Sequence, residues 1–68
     1  MNQYKMTPTL EEAISKFQYL LQQRDPHVTV QYAFTDRDIQ LHIRWRGGYT
    51  LAHVWEEDGQ PVGYLYDT

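Results

Sequence analysis

Between residues 10 and 21 the apolar positions recur at helical spacing. Leu10, Ala13, Ile14, Phe17, Leu20 and Leu21 follow the i, i+3, i+4, i+7 pattern of one face. Glu11, Glu12, Lys16, Gln18, Gln22 and Gln23 fall mostly on the other side. The pattern predicts a helix over about 9–24. Two starts compete: a capping box from Thr9 to Glu12, or Thr7 as the cap with Pro8 at the first helical position. Either start places Glu11 and Glu12 near the positive end of the helix dipole. Arg24-Asp25-Pro26 is the stop, because proline cannot continue a helix and pushes the residue before it towards extended backbone.

After Pro26 the period changes from 3.6 to 2. Val28, Val30, Tyr32 and Phe34 alternate with Thr29, Gln31 and Ala33, and Ile39, Leu41, Ile43 and Trp45 alternate with Gln40, His42, Arg44 and Arg46. Thr35-Asp36-Arg37-Asp38 reads as the turn between these strands, and Gly47-Gly48 and Asp58-Gly59 as two-residue hairpin loops. The strands are predicted at about 28–34, 39–46, 49–56 and 62–66. Pro61 and Gly63 weaken the last one and put it at a sheet edge. The expected fold is α+β: one N-terminal helix on one face of a three- to four-stranded antiparallel meander, in a single small domain over residues 1–68 with a polar lead at 1–8.

Loop length sets register. The loop at 35–38 pairs Phe34 with Ile39, Tyr32 with Leu41, Val30 with Ile43 and Val28 with Trp45. A Gly47-Gly48 loop pairs Trp45 with Thr50, Ile43 with Ala52, Leu41 with Val54, and His42 with His53. An Asp58-Gly59 loop pairs Ala52 with Leu65 and Val54 with Gly63. One face then collects Val28, Val30, Tyr32, Phe34, Ile39, Leu41, Ile43, Trp45, Ala52, Val54 and Leu65, and is expected to be buried by the helix. The layer thins at Thr50, Ala52 and Gly63, where a helix can come close.

The other face is polar under the first two strands but carries Tyr49, Leu51, His53, Trp55, Val62, Tyr64 and Tyr66 under the last two. A half-solvated antiparallel sheet ordinarily has polar residues there. This aromatic patch, rimmed by Arg44, Arg46, Glu56 and Glu57, is a candidate interaction surface, and Tyr, Trp and Arg are the types enriched at binding hot spots. Cross-strand aromatic pairs also stabilise a sheet with no partner, and a lead carrying Tyr4 and Met6 has the length to fold over the patch.

Composition narrows the chemistry. The chain has 68 residues and no cysteine, which excludes disulfides and thiolate zinc sites. A domain this short needs another source of stability, and an aromatic content of 15% supplies part of it. Residues 1–10 lack a signal-peptide pattern and no apolar run approaches a membrane span, so a soluble, cytoplasmic protein is expected. A net charge of −3 counts against general nucleic-acid binding.

Catalytic signatures are missing. Ser15 is the only serine and lies mid-helix, and no phosphate loop or dinucleotide fingerprint occurs. Asp36 and Asp38 read as turn residues, His27 as a turn residue beside Pro26, and Glu56-Glu57-Asp58 as a solvated hairpin tip. His42 and His53, if opposite, offer two ligands for a metal, but a third is not evident. The expected function is therefore non-enzymatic, with no cofactor and no metal. It is an interaction module that meets a partner protein or a second copy through Tyr49, Leu51, His53, Trp55, Tyr64 and Tyr66, with Arg44, Arg46 and Glu57 at the rim. Small acidic cysteine-free chains of this kind include adaptors and the inhibitors of phage and mobile elements. The alternatives are single-stranded nucleic-acid binding by base stacking on the sheet, and a metal-dependent activity at His42 and His53.

Overall fold

The computed structural model describes residues 3–66, with the side chain of Tyr66 outside them. Helix α1 (Pro8–Arg24) is followed by strands β1 (Thr29–Phe34), β2 (Ile39–Trp45), β3 (Gly48–Glu57) and β4 (Gln60–Tyr66). The strands form one antiparallel sheet in the order β1-β2-β3-β4. This is the expected α+β meander, with the proline-bearing β4 at an edge. Among the described residues no helix is long and apolar enough to cross a membrane.

The helix takes the Thr7 start. The Leu10 N–H donates to Thr7 Oγ1 at 3.2 Å, and Pro8 opens the helix where its missing N–H costs nothing. The Thr7 hydroxyl donates in turn to Glu56 Oε1 of β3 at 2.5 Å. The Thr9–Glu12 capping box does not form, because Thr9 lies within the first turn of α1. At the other end Asp25 closes the helix. Its N–H bonds the Leu21 carbonyl at 2.9 Å, and its carboxylate accepts from the N–H groups of His27 at 3.0 Å and Arg46 at 3.4 Å.

Two of the three expected registers hold. β1 pairs Val30 with Ile43, Tyr32 with Leu41 and Phe34 with Ile39, and β4 pairs Leu65 with Ala52 and Gly63 with Val54. The ladder of β1 ends at Thr29 opposite Arg44, so Val28 and Trp45 do not pair, although Val28 is buried. The middle hairpin differs. Its loop is Arg46-Gly47, and Trp45 faces Gly48, Ile43 faces Thr50, Leu41 faces Ala52 and Ile39 faces Val54. Gly47 carries the positive φ of 80°. Gly48 serves a different purpose, since a Cβ there would collide with the Trp45 indole. One glycine turns the chain and the other makes room for a ring, and the register moves by two residues. A two-residue shift keeps every side chain on its face but changes its neighbours.

The core is Leu10 and Ile14 of α1, Val28, the three β2 residues Ile39, Leu41 and Ile43, and Ala52 of β3, with Thr50 also buried. Tyr4, Met6, Phe17, Leu21, Val30, Trp45 and Val54 pack around it. The lead therefore closes the helix side of the sheet: the Tyr4 N–H bonds the Thr35 carbonyl at 2.7 Å, and the Tyr4 hydroxyl accepts from the Glu56 N–H at 2.8 Å. Among the described residues of the lead, none folds over the aromatic patch.

Burial of the helix-side face is narrower than its pattern suggests. Tyr32 stays 46%, Phe34 38% and Leu65 56% exposed. A helix about 10 Å across spans roughly two strands at about 4.8 Å spacing. Here its backbone comes closest to β3 and β4, leaving Tyr32 and Phe34 of β1 uncovered and Leu65 of β4 exposed beyond its reach.

Candidate functional site

The face opposite α1 carries Tyr49, Leu51, His53, Trp55 and Glu57 from β3, Arg44 and His42 from β2, and Val62 and Tyr64 from β4, because alternate residues of a strand share a face. The backbone of Tyr66 pairs with Leu51, while its expected role as an anchor lies outside the described side chains.

The predicted residues gather into two clusters on either side of Leu51. In the first, Arg44 faces Tyr49 across the ladder, and its guanidinium carbon lies 5.8 Å from the ring centroid. His42, diagonal to Tyr49, shares a 2.5 Å hydrogen bond between its Nδ1 and the phenol oxygen. In the second, His53 faces Tyr64, and their rings stack with centroids 5.1 Å apart and planes 18° apart. Trp55 meets the same Tyr64 edge-on at 5.7 Å and 74°. The Trp55 indole N–H donates to Glu57 Oε1 at 3.1 Å.

A residue that the pattern assigned only to a turn anchors this second cluster. The Asp38 carboxylate accepts from His53 Nδ1 at 2.8 Å, and both side chains are mostly buried. Thr35 fixes Asp38: its hydroxyl lies 2.6 Å from Asp38 Oδ1 and accepts from the N–H groups of Arg37 and Asp38. Burial pushes the Asp38 carboxyl up, but the hydrogen bonds from Thr35 and His53, with the charges of His53 and Arg37, outweigh it and hold the group below the usual carboxylate range. The bond also fixes the proton of His53 on Nδ1. The sequence signal was present as a Thr-x-x-Asp turn, but no spacing rule connects it to a histidine two strands away.

Three expectations for this face are corrected. His42 and His53 are not opposite: with the loop at Arg46-Gly47, His42 faces Leu51 and His53 faces Gln40. The juxtaposition on which a two-histidine metal site depended is absent, and among the described residues no three His, Cys, Asp or Glu side chains gather as a metal would require. Glu56 does not rim the patch; it turns to the helix side, where it meets Thr7. Arg46 lies in the hairpin loop, beyond the ladder, with its amide on Asp25. The N–H groups of His27 and then Arg46 hold the Asp25 carboxyl low. Compared with known proteins, the chain matches no family model, no curated protein and no solved structure.

Proposed function

We propose that this chain is a non-enzymatic interaction module of the cytoplasm, and that it contacts a partner protein through the aromatic face of β3 and β4. One observation carries the reading. The helix and the described part of the lead both pack on the other side of the sheet, so among the described residues no element lies over the face that carries Leu51 and Trp55. Tyr49 and Tyr64 are exposed. Polar neighbours brace each ring: His42 and Arg44 hold Tyr49, Asp38 and His53 support Tyr64, and Glu57 orients Trp55. Rings fixed before contact lose little freedom on binding, which favours affinity. Arginine and glutamate at the margins supply charge of both signs for orientation.

Trp55→Glu tests this. The variant is expected to keep the wild-type circular dichroism and to release whatever protein the tagged wild-type chain retains from its native cells, with a loss of at least about tenfold in affinity, as for a central aromatic hot spot. Unfolding of Trp55→Glu together with Tyr64→Ala would make the face part of the core. Undiminished retention by both variants would show it to be idle. A salt-sensitive gain of single-stranded oligonucleotide binding by the wild type, lost in Trp55→Glu, would transfer the face to nucleic acid.

A further inference from the structure

The two edges of the sheet differ in how they treat their backbone. In an antiparallel pair the hydrogen-bonded positions alternate, and the pair that closes a two-residue hairpin is a bonded one. Trp45↔Gly48 and Glu57↔Gln60 are such closing pairs. Counting outward from them, Ile39, Leu41 and Ile43 bond β3, so Gln40, His42 and Arg44 bond Ala33, Gln31 and Thr29 of β1. The Thr35 N–H, bonded to the Asp38 carbonyl at 3.0 Å, continues that phase. Val30, Tyr32 and Phe34 therefore turn their N–H and C=O groups to the open side of β1. The same count points Pro61, Gly63 and Leu65 outward on β4.

The β4 edge is blunted. Pro61 has no N–H to offer and Gly63 no side chain to pack, which is how natural sheets discourage edge pairing. The β1 edge has none of these protections. Its sequence, Thr-Val-Gln-Tyr-Ala-Phe, contains no charge, no proline and no glycine. Its outward-bonding residues include Tyr32 and Phe34, the exposed aromatics on the helix side. Among the described residues, only Tyr4 approaches this edge by a backbone bond, and it does so past the end of the strand, at Thr35.

We propose that β1 is the docking edge for a second copy of this chain, in an antiparallel β1–β1 pairing about a two-fold axis through Tyr32. The strand is self-complementary in that register. Tyr32 meets its own copy, and Val30 meets Phe34 on either side of it. All three residues have outward backbone groups, so each of the three pairs can exchange both of its hydrogen bonds. On the helix side the pairing brings apolar residues against apolar residues and covers Tyr32 and Phe34. On the opposite face Gln31 meets Ala33. No charged side chain meets a like charge, and a self-pairing interface is the usual route to a closed dimer. The product is one continuous eight-stranded sheet with both helices on one side and two aromatic faces on the other. The contact is small, so the dimer belongs to the weak class that dissociates at roughly micromolar concentrations.

This proposal does not depend on the outer-face reading, and one set of measurements separates them. Light scattering and sedimentation of the full chain from about 1 µM to about 1 mM should show the mass of one chain rising to that of two. Tyr32→Lys places two ammonium groups across the axis and should hold the protein at the mass of one chain throughout. Residue-resolved hydrogen exchange on the wild type removes any dependence on the variant's folding. Protection of the Val30, Tyr32 and Phe34 amides should rise about tenfold or more over that range, while the outward Gly63 and Leu65 amides stay unchanged. A single-chain mass at every concentration overturns the proposal. So does a dimer that survives Tyr32→Lys but is lost in Trp55→Glu, since self-association would then run through the aromatic face. Protection rising equally at both edges would also overturn it.

Discussion

Asp38 shows how one residue in a turn sets a site on the next strand but one. Its carboxylate ties the 35–38 turn to His53, and His53 carries Tyr64 on its ring. Because its folded-state pKa lies below the ordinary value of 3.8, the ionised form is favoured by folding. The stability it contributes is fully present above that ordinary value and is lost as pH falls through the lower, folded value. Asp38→Asn is expected to reduce stability by about 1–2 kcal/mol at pH 7, as for a mostly buried charged hydrogen bond discounted for the solvent that still reaches it. Thermal melts from pH 2 to pH 7 should show the gap to wild type narrowing at the acid end. A constant gap would mean that the carboxylate's charge plays no part. The residues of this bridge were visible in the sequence but their partnership was not. Asp38 read as a turn former and His53 as an outer-face histidine, and only the true β2–β3 register sets them together.

At the scale of elements, the helix shows a local choice settled from a distance. Thr7 and Thr9 are both acceptable caps by sequence, since both are threonines with helix-compatible followers. Glu56 decides between them: a carboxylate held at the helix N-terminus accepts from Thr7 and complements the dipole. Thr7→Ala should therefore cost about 1–2 kcal/mol in denaturant unfolding, while Thr9→Ala should stay within about 0.5 kcal/mol of wild type. Equal effects would return the cap to Thr9. The glycine pair is a second case. Sequence identifies Gly47-Gly48 as a turn but not which glycine turns, because the answer lies in the space that the Trp45 indole needs. The Asp58-Gly59 loop had no such competitor, and both of its residues take positive φ, at 51° and 75°. Its register was legible in full.

For the whole molecule, a single helix on four strands leaves apolar side chains exposed on the aromatic face and at both sheet edges, and we propose different contacts for that face and for the β1 edge. The aromatic face lies opposite the helix, and the β1 edge lies at the side. Tyr32 and Trp55 belong to opposite faces and to strands separated by β2, so their effects should be independent. A Tyr32→Lys chain is expected to keep its intrinsic partner affinity in solution. On a surface dense with partner it should bind more weakly than wild type, because only a dimer can engage two partners at once. Equal loss in both formats would indicate that Tyr32 shapes the aromatic face itself.

The sequence by itself determined the element types, their order, the sidedness of every strand and two of the three registers. These follow from period-3.6 and period-2 patterning and from proline, glycine and aspartate chemistry at the breaks, all of which act over a few residues. The tertiary structure decided which threonine caps, which glycine turns, which carboxylate holds His53, and how little of a four-stranded sheet one helix covers. Each of those depends on groups far apart in the chain competing for the same space or the same hydrogen bond, and no local period records such a competition.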